Sequence, residues 1–197
     1  MQGQTAEPDW YRFTLNVPML TAPGDTIVYC SIEPNLALGM LRRISGEPLV
    51  EMFDRLVGRP LQMSNYHVFL TPTGEAYGAG GQQMLPRDFM KLVQLMLNDG
   101  KWAGRQIIGS DWVRKSSAPL RNLTKDQQYG WLWNSVEYPW NGRKVRAFFA
   151  TGNGGQIFLG FPELDLVIGF TGGNYADAAA GIPGRVLVPQ WILPAVR

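Results

Sequence analysis

From residue 129 onward the sequence changes character, and that change limits the fold more than any other feature. Residues 129–134, 144–150, 155–161 and 164–171 are short runs rich in aromatic and β-branched side chains, the composition of strands. Between them lie Asn141-Gly142, Gly152-Asn153-Gly154 and Pro162-Glu163, turn chemistry that reverses a chain within a few residues. Strands joined by such short turns pair antiparallel, because a parallel return needs a crossover of a dozen residues or more. An antiparallel meander is therefore predicted for the C-terminal third. A last apolar stretch, 186–193, is expected to form a helix packed on that sheet, with Pro189 working against it.

Upstream, the pattern is helical. The first 33 residues read as an irregular lead-in ending in the turn Pro23-Gly24-Asp25 and the apolar run Ile27-Val28-Tyr29-Cys30. A helix is predicted from about Pro34, because Leu36, Met40 and Ile44 recur every four residues with Leu41 beside them, and Gly46 supplies its C′ stop. A second helix, 50–56, closes at Gly58, and residues 62–83 suggest a small hairpin and loops. The clearest helix is 86–98. Pro86 suits its first position, Asp88 its positive end, and Phe89, Leu92, Val93 and Met96 give it one apolar face before Gly100. A further helix is expected at Ser110-Asp111 with Ser110 as N-cap. Helices followed by an antiparallel sheet make a single α+β domain. Its parts are a lead-in with the Tyr29 region (1–33), a helical part (34–128) and a sheet with its C-terminal helix (129–197).

Composition excludes several classes of function. The 197 residues are 45% hydrophobic and include seven Trp, nine Phe and seven Tyr, enough for a core and unlike a disordered chain. Net charge is +2 with Lys and Arg scattered singly, so a nucleic-acid partner is not expected. Cys30 is the one cysteine, so no intrachain disulfide can form. One His, one Cys and no carboxylate cluster at ligand spacing argue against a metal site or a metal cofactor. The opening residues lack the charged and apolar regions of a signal peptide, and no run reaches the roughly 18–20 apolar residues of a membrane span. The compartment stays open. Ser64 lies three residues before His67, but no G-x-S-x-G elbow exists and His67 reads as a structural loop residue. Gly78-Ala79-Gly80-Gly81 lacks the Gly-Lys-Ser/Thr continuation of a phosphate loop.

Three segments fit a known pattern in order and spacing. Residues 23–63 place Pro23-Gly24 before Tyr29-Cys30-Ser31, then a helix ending in Gly46, then Pro60-Leu61-Gln62-Met63. Residues 80–108 place Gly80-Gly81 before a helix with an early Asp88 and closing glycines. Residues 147–175 carry Ala150-Thr151-Gly152-Asn153-Gly154-Gly155-Gln156 between two strands. Taken alone, Tyr29 fits ordinary packing and the Thr-Gly-Asn-Gly-Gly run an ordinary hairpin turn. Together they resemble the β-lactamase-related serine hydrolases, on the side of the carboxylesterases and 6-aminohexanoate-dimer hydrolases, over roughly residues 9–175.

That resemblance implies a β-lactamase/transpeptidase-like fold, hydrolysis of a small ester or amide through an acyl-enzyme, and no cofactor. It implies that Tyr29 relays protons and that Ser31 stands where the family has Asn. It implies that Thr151 and Gly152 match the third motif, that the Asn153 N–H donates to the oxyanion, and that Gly154 and Gly155 let the backbone approach substrate. Ala150 falls where the family carries Lys or His, which favours esters and amides over β-lactams.

The family's nucleophile and base stand in Ser-x-x-Lys, upstream of the tyrosine. No serine here (31, 45, 64, 110, 116, 117 or 135) has Lys three residues later. The domain is therefore expected to be incomplete, without its N-terminal strands and nucleophile helix, and the chain to be inactive alone. It is also expected to associate, either as a homo-oligomer or with a complementing N-terminal segment. The competing readings are a non-catalytic ligand-binding or interaction module built on the same fold, and an autonomous hydrolase using Ser31 or Ser64.

Overall fold

The computed structural model describes residues 2–197. Contacts gather the chain into two compact units, one running to Leu85 and the other spanning Pro86–Arg197.

The N-terminal unit holds helices α1 (Gln2–Thr5), α2 (Trp10–Asn16), α3 (Glu33–Ser45) and α4 (Leu49–Phe53), a π-helical turn Asp54–Gly58, and a ladder of β1 (Tyr66–His67) with β2 (Gln83–Met84). The lead-in is thus not irregular throughout. Asp9 caps α2, its carboxylate accepting from the N–H groups of Tyr11 and Arg12 at 3.0 Å each. Trp10 and Thr14, one turn apart, are its buried residues.

Helix α3 starts and stops where its sequence says, with Gly46 at φ 70°. Its apolar stripe, however, faces outward: Met40 is 60% and Ile44 85% exposed. The packed side mixes one apolar residue, Leu38, which lies against Gly78, with polar and small residues. Asn35 is fully buried and accepts from Gly78 N–H at 2.9 Å. A methyl on Gly39 would lie 3.1 Å from the Tyr11 ring, and Arg42 pairs with Glu75 at 3.5 Å. Close approach and charge pairing override periodicity here.

The C-terminal unit holds α5 (Pro86–Leu97), the hairpin β3 (Lys101–Trp102) and β4 (Arg105–Gln106), and α6 (Ser110–Ser117). Then come β5 (Arg121–Asn122), β6 (Gln127–Tyr129), β7 (Asn134–Trp140), β8 (Arg143–Thr151), β9 (Ile157–Phe161) and β10 (Leu166–Phe170). The sheet order β10-β9-β8-β7-β6-β5 is the predicted meander, with six strands rather than four. Residues 130–133, expected as strand, instead link β6 to β7. A methyl on Gly130 would collide with the Ala118 carbonyl oxygen there, and Leu132 takes a left-handed φ of 67°. β7 was hidden by Glu137 and Pro139, which dilute a strand pattern. Gly109, not Ser110, occupies the N-cap of α6, with no side-chain cap bond.

Successive β8 and β9 residues point to opposite faces, and both faces are covered. Val145, Ala147, Phe149, Leu159, Phe161 and Ile168 pack with Tyr138, Val188 and Leu193. Phe148 and Phe158 pack with Val93, Met96 and Val113 from α5 and α6. The C-terminal stretch is helical over Pro183–Ile192 with π geometry, the Leu193 N–H reaching the Val188 carbonyl. The wider turn carries Pro189, which has no N–H of its own to place. Fold class is α+β, an antiparallel sheet with flanking helices.

Candidate functional site

Tyr29 lies on a segment without regular structure and is 59% exposed. Ser31 follows, half-buried, two residues before α3. The neighbour that sequence reasoning missed is Tyr77. Burial, with a smaller contribution from the Tyr29 phenol, raises the Tyr77 hydroxyl above the ordinary tyrosine range. Its ring stands edge-on to Trp10 at 5.1 Å and to Phe69 at 6.1 Å. The next residue, Gly78, is held by Asn35, whose Nδ2 is buried without a partner. The signal was Tyr77-Gly78 just before Gly80-Gly81, but nothing in its residue types sets it apart from a packing tyrosine.

The five glycine-loop candidates form one structure between β8 and β9. Thr151 Oγ1 and Gly152 N–H both donate to the Gln156 carbonyl, at 3.1 and 2.9 Å. Gly155 N–H donates to the Gly152 carbonyl at 3.3 Å, and Asn174 N–H to the Gly154 carbonyl at 2.9 Å. Gly154 and Gly155 have φ of 130° and 95°, open to glycine alone at low cost. A methyl on Gly154 would meet the Tyr175 ring at 3.0 Å. Asn153 sits exposed at the tip, and the loop's own hydrogen bonds use neither its N–H nor that of Gly154. Ala150 is half-buried at the end of β8, paired with Phe158, and brings no charge. A loop so braced can offer backbone N–H groups to an oxyanion.

Ser64 and His67 line an open hollow of about 680 Å³ together with Asp54 and Tyr66. Both oxygens of Asp54 are engaged, by the Tyr66 hydroxyl and by Arg59 Nε, each at 2.6 Å. Those bonds, the one from Tyr66 first, hold its carboxyl below the usual range. Its lone pairs are thus directed at Tyr66 and Arg59 rather than at His67, unlike the acid of a triad. Among the described residues no group of three His, Cys, Asp or Glu could hold a metal ion, and no helix is long and apolar enough to cross a membrane.

Solved structures with this fold include a protein of Bacillus anthracis assigned as a 6-aminohexanoate-dimer hydrolase (TM-score 0.73, 21% identity, 87% of this chain and 44% of that one). A penicillin-binding protein from Bacillus halodurans is similar at TM-score 0.68 and 16% identity, over 88% of this chain and 61% of that one. So is the octameric penicillin-binding protein homologue from Pyrococcus abyssi, at TM-score 0.64 and 15% identity, over 86% and 44%. The chain thus spans about half the length of these proteins. At the level of sequence the family model described as Beta-lactamase matches residues 2–181, and the chain belongs to that family.

Proposed function

We propose that the chain is part of a serine hydrolase acting on small esters or amides through an acyl-enzyme, and that it does not turn over substrate alone. The observation that carries this reading is the braced loop Thr151–Gln156, which leaves the Asn153 N–H free of the loop's own bonds. In this mechanism a serine attacks the carbonyl, and negative charge gathers on its oxygen where the Asn153 N–H receives it. Thr151, Gly152, Gly154 and Gly155 shape the wall against which substrate lies. Tyr29 passes the nucleophile's proton to the leaving group, and Ser31 offers one further hydrogen bond. Ala150 provides no cation for a carboxylate, which favours neutral esters and amides over penicillins. The name of the Bacillus anthracis relative supports an amide-hydrolysing branch. We read both compact units as parts of one incomplete β-lactamase-like domain, whose Ser-Lys dyad would come from a complementing segment.

The missing dyad favours a second reading, a ligand-binding module without chemistry. One experiment addresses both. The purified 197-residue chain should show no turnover of p-nitrophenyl acetate or nitrocefin above buffer and no labelling by a fluorophosphonate probe. Stoichiometric labelling of a single serine would overturn the inactive reading and point to Ser31 or Ser64.

A further inference from the structure

We propose that Gln156 is a positioning residue: its side-chain amide fixes the Thr151–Gln156 loop so that the Asn153 N–H is presented outward. The inference rests on the reading that this N–H serves as oxyanion donor.

Gln156 acts on the loop from both its backbone and its side chain. Its carbonyl takes two bonds, from Thr151 Oγ1 and Gly152 N–H, and so closes the loop on itself. Its side-chain Nε2 donates to the Gly172 carbonyl at 2.7 Å, just beyond β10. That bond ties the loop to a third chain segment sixteen residues away. A second tie runs parallel to it, from Asn174 N–H to the Gly154 carbonyl. The tether works only because its surroundings are bare of side chains. A methyl on Gly152 would come 3.0 Å from Gln156 Oε1, one on Gly154 3.2 Å from Nε2, and one on Gly172 2.6 Å from the Gly154 carbonyl. Two glycines thus leave room for the amide, and Gly172 leaves room for the Gly154 carbonyl beside it. The loop needs such a tether because Gly154 and Gly155 are the residues with most conformational freedom to lose. Without it, the Asn153 N–H would sample many directions, and oxyanion stabilisation depends on donors fixed before charge develops.

The chemistry required of residue 156 is specific. It must donate toward a carbonyl, and among residues of this length glutamine does so without charge. Methionine keeps the length and loses the donor. Glutamate keeps the shape and regains a donor only when protonated.

Hydrogen exchange read by mass spectrometry on the full chain tests this at the loop itself, with wild type as reference at each pH. In Gln156→Met, protection of residues 152–156 and of Asn174 should fall about 5–10-fold, the worth of one neutral hydrogen bond. Protection in β8 and β9 should not change. In Gln156→Glu, loop protection should be low at pH 7 and climb toward wild type as pH falls through the carboxyl range near about 4.3. Gln156→Met should show no such recovery. Unchanged loop protection in Gln156→Met would overturn the proposal, as would a Gln156→Glu profile parallel to wild type. So would loss spread evenly through β8 and β9, which marks a merely structural residue. Loop protection is read without turnover, so it stands or falls separately from the probe labelling that decides the hydrolase reading.

Discussion

Two tyrosines that are not part of the loop set a pH limit on the molecule. Burial pushes the Tyr138 phenol up to about 12. Its hydroxyl donates to the Gly184 carbonyl at 3.0 Å. Tyr66 also reaches about 12, through burial first and then its bond to Asp54. In the unfolded chain both ionise near about 10. Their stabilising effect is therefore complete below pH 10 and is lost as pH rises toward 12, because the unfolded state sheds protons that the native state keeps. Two pH units at Tyr138 correspond to roughly 3 kcal/mol at most. Tyr138→Phe should cost about 1 kcal/mol at neutral pH and flatten the alkaline fall in unfolding midpoint. A variant whose midpoint drops as steeply as wild type between pH 10 and 12 would refute the assignment. Residues of this kind were invisible in the sequence: a tyrosine declares its type but not its burial. Tyr29, Thr151 and the glycines were readable as candidates because motif order marks them, whereas Asn35, Tyr77 and Gln156 act on partners 16 to 48 residues away.

At the scale of elements, turns were the most legible features. Asn141 and Gly142 adopt φ of 46° and 77°, both left-handed, as a two-residue hairpin between β7 and β8 requires. A methyl on Gly142 would have no atom within 4 Å, so Gly142→Ala adds backbone strain alone, about 1 kcal/mol. Gly160 in β9 differs, since a methyl there would meet Phe148 Cζ at 2.5 Å and Val93 Cγ1 at 2.9 Å. Gly160→Ala should cost more, about 1–3 kcal/mol, because it lifts α5 from the sheet. Urea midpoints in the order wild type, Gly142→Ala, Gly160→Ala are expected, and a reversed order of the two variants would show that α5 does not pack as described. The same logic explains the misread elements. Local chemistry writes a turn into two residues, but α3 packs through Asn35, Leu38, Gly39 and Arg42, and the Leu36, Met40, Ile44 periodicity does not announce that.

For the whole molecule, the question is what the chain does with surface it leaves open. Both faces of the sheet are covered, by α5 and α6 on one side and by the C-terminal helix on the other. The exposed material lies elsewhere. Met40, Leu41 and Ile44 form an apolar patch on α3, and Leu15, Met19 and Leu20 are exposed as well. Among the described residues β10 pairs with β9 alone, so its other edge carries open N–H and C=O groups. Contiguous apolar surface of this sort drives association in water. The chain should therefore self-associate at micromolar concentration, with light scattering giving a mass above 22.0 kDa that rises with concentration. Replacing Met40 and Ile44 together by Lys should shift the distribution toward monomer without lowering the unfolding midpoint, because both side chains are mostly exposed. If the double variant associates as wild type does, the open edge of β10 is the contact instead, and Val167→Pro should then dissociate it by removing an edge donor. A monodisperse 22.0 kDa species at all concentrations would show that water tolerates both the patch on α3 and the edge of β10, and that neither drives association.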